Sequence, residues 1–160
     1  MAVIVEADLS DPRHAEAVVR LLNEYASDPM GGNQPLSEFV RNNLIRELRA
    51  RASIRIVLAF VGADPAGIAL CIEGFSTFSC KPLVNIHDLA VSLKYRGRGI
   101  GRALIARVEQ IAVSMGCCKI TLEVLEGNAP AQSLYRSCGF AGYQLDPGTG
   151  RAMFLQRVLA

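Results

Sequence analysis

The sequence has little net charge, only two histidines and no long uninterrupted apolar run. Each shortage removes a class of function. A net charge of +2 is too weak to argue for a nucleic-acid partner. Five cysteines (Cys71, Cys80, Cys117, Cys118, Cys138) show no C-x-x-C spacing, and with two histidines they make no zinc motif, so no metal is expected. An odd number of thiols fits free cysteines in a reducing compartment. The most apolar region, Ile56 to Ile72, is interrupted by Asp64-Pro65 and is too short to span a bilayer. Met1 to Asp8 has no basic region and too short an apolar run for a signal peptide. The expectation is a cytoplasmic protein with no membrane or nucleic-acid partner. No repeat, low-complexity tract or linker divides the chain, so residues 1–160 read as one domain.

What is present is a globular composition, 51% hydrophobic and 20% charged. A chain of this size buries roughly 70% of its unfolded surface and needs no staples. Ala2 to Ala7 reads as a strand. Ser10 or Asp11 caps a helix with Pro12 in its first turn and apolar Ala15, Val18, Val19, Leu22 and Tyr25 at helical spacing. Ser27 to Asn33 is a loop. Ser37 and Glu38 open a second helix with Phe39, Val40, Leu44, Ile45 and Leu48 on one face. Ile54 to Val61 and Ala66 to Phe78 form a hairpin around Gly62-Ala63-Asp64-Pro65, and Val84 to Val91 is the central strand. Arg102 to Met115 is an amphipathic helix, with Gly116 ending it. Lys119 to Leu125 is a strand, Asn128 caps a short helix that Gly139 ends, and Phe140–Leu145 and Ala152–Leu159 are two last strands. The predicted order is β-α-α-β-β-β-α-β-α-β-β, a mixed α/β fold.

Between the central strand and its helix lies Arg96-Gly97-Arg98-Gly99-Ile100-Gly101. A glycine turn at a helix N-terminus presents several backbone N–H groups and suits phosphate. Arg96, Arg98 and Arg102 would complement that charge. A Walker-type loop needs Lys after its last glycine, and Arg102-Ala103 stands there instead. A dinucleotide fingerprint fails at its third glycine, again Arg102, and only one strand–helix–strand unit is available.

The turn resembles the pyrophosphate loop of the GNAT superfamily of N-acetyltransferases, [QR]-x-x-G-x-[GA]. A second stretch, Asn128-Ala129-Pro130-Ala131-Gln132-Ser133-Leu134-Tyr135 with Cys138-Gly139-Phe140, is similar to that family's N-x-x-A-x-x-L-Y-x-x-x-G-F helix. The order of elements also matches the family over nearly the whole chain. The resemblance implies a largely antiparallel sheet that splays where Val84–Val91 and Lys119–Leu125 run parallel. It implies acetyl-CoA as cosubstrate, with no metal. The pyrophosphate would meet the main chain from Arg98 through Gly99, Ile100 and Gly101 to Arg102, and the pantetheine would meet the main chain of Leu89, Ala90 and Val91. Asn128 would touch the pantetheine. Tyr135 would face the thioester sulfur and protonate the leaving thiolate. Dimers are common in that family, which raises a homodimer here.

Acetyl transfer also needs a base, since a lysine-like amine costs about 4.6 kcal/mol to deprotonate at pH 7. His87, two residues before Leu89, shares its face in an unbulged strand. In the resembled polyamine acetyltransferases a neighbouring position is acidic, and His87-Asp88 is similar to that pair with histidine substituted. Its alternative is a structural histidine. Glu73, mid-strand in an apolar stretch, is the second candidate, with a solvent-facing carboxylate as its plainer reading. A water chain is the third. Asp28 could line the acceptor end, although a Ser-Asp-Pro turn needs no function. Cys138 reads as a small buried thiol and not as an acyl carrier. The acceptor would be a primary amine, of a small molecule before a protein N-terminus. A non-catalytic acyl-CoA-binding module is the reading from another class.

Overall fold

The computed structural model describes residues 1–159. The chain divides into two compact units, Met1–Leu122 and Glu123–Ala160. The first holds β1 (Val3–Glu6), α1 (Pro12–Ser27), α2 (Glu38–Arg49), β2 (Ile54–Val61), β3 (Asp64–Ser76), β4 (Lys81–Val91), one 3₁₀ turn (Leu93–Tyr95), α3 (Ile100–Ser114) and β5 (Ile120–Leu122). The strands lie in the order β1-β2-β3-β4-β5. Every neighbouring pair is antiparallel except β4 and β5, which are parallel. This is the mixed, mostly antiparallel sheet that the sequence predicts. Among the described residues no helix is long and apolar enough to cross a membrane.

Local chemistry sets the helix starts. The Asp11 side chain accepts the Arg13 N–H, with Pro12 in the first turn, and the Ser37 hydroxyl accepts the Val40 N–H. α1 and α2 cover one face of the sheet, where Val18, Leu21 and Leu48 meet Ile56, Leu58, Ile68 and Leu70. α3 covers the other face with Leu104 and Val108 buried. Each such leucine or valine contributes about 1.5–3 kcal/mol by leaving water. Phe39 does not join the core as the pattern predicts and is 75% exposed. One position before Val40, it lies about 100° round the helix from the Val40–Leu44–Leu48 stripe.

The second unit contains α4 (Ala129–Ser137). Asn128 Oδ1 accepts the Ala131 N–H at 3.2 Å and caps it, and Gly139 turns the chain out with φ of 87°. The two last predicted strands do not form. Around Phe140–Leu145 and Ala152–Leu159 there is one bridge, Gln144 to Arg151 just before the second segment, with the Ala152 N–H at a stretched 3.4 Å from Tyr143 O. The apolar residues that suggested strands, among them Leu145, Phe154, Leu155 and Val158, stand exposed. An apolar stretch becomes a strand only when one face is buried and one edge is paired. β5 is likewise shorter than Lys119–Leu125.

Candidate functional site

β4 changes character at His87. Cys71 pairs with Ile86 and Leu70 with Asp88, so His87 is an extra residue opposite neither. Such a bulge reverses the alternation of faces. Val84 and Ile86 are buried under α3, whereas Asp88 and Ala90 pair with Leu70 and Ile68 on the α1 face. The unbulged geometry expected for His87 is therefore corrected. His87 is exposed, and it is Asp88 that the bulge turns towards α1.

The same point ends the pairing with β5. Only Val84, Asn85 and Ile86 pair with Ile120, Thr121 and Leu122. Beyond them, among the described residues, β4 pairs with a strand on its β3 side alone. The Ser92 N–H reaches Ala66 O at 3.0 Å, which fixes the alternation. Asp88, Ala90 and Ser92 turn their main-chain groups to β3, while Leu89 and Val91 turn theirs to the open edge. Of the three residues expected to meet a pantetheine through the main chain, Leu89 and Val91 are so placed and Ala90 is not.

At the end of this edge sits the glycine turn. Gly97 and Gly99 have φ of 75° and 78°, values that side chains resist, and Gly99 is the N-cap of α3. The first helical bond runs from the Ala103 N–H to Gly99 O, so the N–H groups of Ile100 and Gly101 point out of the helix start. The helix dipole adds partial positive charge there. Gly67 on β3 makes room for this turn. A Cβ on it would lie 3.0 Å from Leu104 Cδ1, 3.1 Å from Ala90 O and 3.1 Å from Ile100 Cγ2.

Arg96 is aimed elsewhere. Its Nε donates to Val91 O at 3.0 Å, and its guanidinium pairs with Asp28 at 2.9 Å. Met30 N–H and then Arg96 hold the Asp28 carboxyl below its ordinary value. Arg96 and Asp28, with Glu24, Tyr25, Ala90 and Val91, line a cleft of about 460 Å³ between the end of α1 and the end of β4. Sequence reasoning placed Tyr25 only as a core position of α1. Its ring does pack on the core, but its phenol feels the carboxylates of Asp88 and Asp28. Burial, and then those two charges, raise its pKa. Burial also raises Asp88, against the pull of His87. A tyrosine in the last turn before an Asp-containing loop is the signal that would have found it.

Glu73 lies apart from this group. It is exposed on the α3 face of β3, where its pairing partner is Val84. There burial, and then the Glu73 charge, push the Cys117 thiol up. All five cysteines are free. Within the second unit Asn128 and Tyr135 stand at the start and near the end of α4, and the Tyr135 ring meets Phe140 edge-on at 6.0 Å. Among the described residues no group of His, Cys, Asp and Glu gathers to hold a metal ion.

A family model described as the acetyltransferase (GNAT) family matches residues 17–140. The chain is 31% identical over 148 residues to a glucosamine 6-phosphate N-acetyltransferase of Trypanosoma brucei brucei, covering 90% of each chain. It is 34% identical over 78 residues to a bovine (Bos taurus) thialysine N-epsilon-acetyltransferase. That alignment covers 49% of this chain and 45% of the relative, so the chain spans less than half of that relative's length. A crystal structure of a probable acetyltransferase superposes with a TM-score of 0.82 at 22% identity, covering 99% of both chains.

Proposed function

Because the chain belongs to the GNAT family of acetyltransferases, we propose that it transfers an acetyl group from acetyl-CoA to a primary amine of a small molecule, directly, with both substrates bound. The observation that carries this is the second half of β4. An open main-chain edge leads into a left-handed glycine turn at a helix start, which suits an amide-bearing arm that ends in a pyrophosphate. The pyrophosphate would take the N–H groups of the Gly97–Arg102 turn, and the arm's amides would pair with Leu89 and Val91. Relatives named for glucosamine 6-phosphate and thialysine support a small acceptor.

The acceptor end is the cleft lined by Glu24, Tyr25 and Asp28, and the carboxylates of Glu24 and Asp28, with the Asp88 charge that Tyr25 feels, favour an arriving ammonium. The amine nitrogen attacks the acetyl carbonyl carbon and the C–S bond breaks. His87 at the bulge takes the amine's proton, and the Tyr135 phenol gives its proton to the leaving thiolate. The motif alone supports the roles of Tyr135 and Asn128. His87 is preferred to Glu73 as base because it adjoins Asp88 and acts on its carboxyl, whereas Glu73 is on the opposite face from Asp88. Five free thiols fit a reducing compartment such as the cytoplasm.

The test is thiol release from acetyl-CoA across a panel of primary amines, with CoA binding measured in parallel. We expect release with a small amine, and turnover about a hundredfold lower in Tyr135→Phe at nearly unchanged CoA affinity. CoA binding without thiol release for any amine would overturn the enzyme reading, and an unchanged Tyr135→Phe rate would remove the acid.

A further inference from the structure

The turn between β2 and β3 is remote in sequence from the glycine turn, yet one residue of it gathers three partners. Asp64 Oδ2 accepts the Tyr95 hydroxyl at 2.7 Å and Lys94 Nζ at 3.0 Å, and its Oδ1 meets Arg20 at 3.0 Å. The Tyr95 bond, then the Lys94 bond, hold the Asp64 carboxyl at about 2, so it is charged at any physiological pH. Tyr95 is 5% exposed and sits immediately before the turn. Its ring carries a cation on each side of the sequence: Lys94 Nζ at 5.1 Å and the Arg98 guanidinium at 5.4 Å from the centroid. Arg98 stands between the two left-handed glycines. A phenol that donates to a carboxylate becomes more electron-rich, and its face then holds a guanidinium more strongly.

We propose that Asp64 is a positioning residue for the donor: acting through Tyr95, it holds the Arg98 guanidinium and the glycine turn in the shape that receives the donor's phosphates. Asp64 touches no reacting atom. It fixes the hydroxyl end of Tyr95, the ring fixes Arg98, and Arg98 sits where an arriving pyrophosphate needs a cation. Two further bonds steady the same segment from α1 and its loop, Glu24 to the Leu93 N–H at 2.8 Å and Asp28 to Arg96. The Asp64 link runs through Tyr95 to the side chain of Arg98, the arginine that stands between the two left-handed glycines. This inference rests on the reading that the turn binds acetyl-CoA.

The experiment measures CoA affinity by calorimetry and the steady-state constants for acetyl-CoA in wild type, Asp64→Ala, Tyr95→Phe and their double variant. Tyr95→Phe keeps the ring and removes only the hydroxyl, so it tests the link even if Asp64→Ala folds poorly. Each single variant should weaken CoA binding and raise KM about tenfold, the scale of one charge-assisted hydrogen bond, with kcat altered less than about twofold. The double variant should be no worse than either single one, because both break one chain of contacts. Asp64→Asn, which keeps an acceptor for the hydroxyl, should recover part of the affinity. Arg20→Ala should leave it unchanged. Unaltered affinity in Asp64→Ala or Tyr95→Phe, or additive losses in the double variant, would overturn the positioning role alone. A wild-type protein that binds no CoA would overturn the donor reading beneath it.

Discussion

The two halves of β4 share a strand and differ in everything around it. From Val84 to Ile86 the backbone is bonded on both sides, to β3 and to β5, and its buried side chains face α3. From Asp88 to Val91 it pairs with a strand on one side, with the Arg96 side chain at Val91 O on the other, and the buried Ala90 faces α1. The switch is a single residue, His87. A core strand and a ligand-ready edge are therefore made from one continuous stretch, without a loop between them. Antiparallel pairing with β3 continues through both halves, so the edge is held in register by the same neighbour as the core.

Removal of His87 is the strongest way to break that contrast. Ile86 already pairs with Cys71 and Asp88 with Leu70, so the deletion leaves all other pairs in register and takes away only the bulge. The second half of β4 should then run straight on from the first. A displacement of about 1 Å at a binding edge can cost about a hundredfold, so CoA affinity should fall by that order while the protein stays folded. His87→Ala keeps the bulge and should keep the affinity, although turnover falls. Equal CoA binding by the deletion and the substitution would show that the bulge does not shape the edge.

Two glycines sharpen the contrast at a smaller scale. Gly67 pairs with Val91 in the open half, and a Cβ there meets backbone oxygen and the first turn of α3 at 3.0–3.1 Å. Gly67→Ala should cost about 1–3 kcal/mol in denaturant unfolding, since backbone and helix must both shift. Gly74 pairs with Leu83 in the closed half, where a Cβ meets only the Leu83 side chain, at 3.1 Å for its Cδ1. Gly74→Ala should change stability by less than about 0.5 kcal/mol, because that side chain can turn aside. Matching losses at both positions would mean that the open half is no more tightly fitted than the closed one.

The smallest effect concerns pH. Burial raises the folded pKa of Asp88 above its unfolded value near 3.9. Such a group gives up stability as the pH rises from the unfolded value through the folded one, and the deficit stays constant above it. Asp88→Asn removes the deficit. Its melting temperature should exceed that of wild type at pH 7.5, and the difference should vanish near pH 4, while acetylation of the amine falls. A melting temperature below wild type at pH 7.5 would mean that the Asp88 charge is stabilising where it stands.

The glycine turn and the helices α3 and α4 were legible in the sequence because their signals are local. Gly97 and Gly99 announce positive φ, the periodic run after them announces α3, and Asn128 announces the start of α4. The bulge was not legible, because an inserted residue leaves the apolar pattern of Val84 to Val91 almost intact. Tyr25 read as core because its ring is core, and only the fold brings its phenol under the charges of Asp88 and Asp28. Asp64 and Tyr95 are 31 positions apart, beyond any local pattern. Phe140–Leu145 and Ala152–Leu159 show the opposite failure. Both are rich in apolar residues, as strands are, but composition supplies no partner edge, and the ladder stops at Gln144 and Arg151.

The β2–β3 turn has one more consequence, for anyone who alters this chain. Gly62 and Ala63 form an exposed hairpin tip with open space around the glycine, the usual place to splice in an epitope or a reporter. Here the next residue is Asp64, tied to α1 through Arg20 and to the 3₁₀ turn through Lys94 and Tyr95. A graft at that tip would pull on a brace, while one among the exposed residues after Ser27 would pull on Asp28 and Arg96 instead. The hairpin tip that looks most dispensable is thus one of the least suitable sites for insertion.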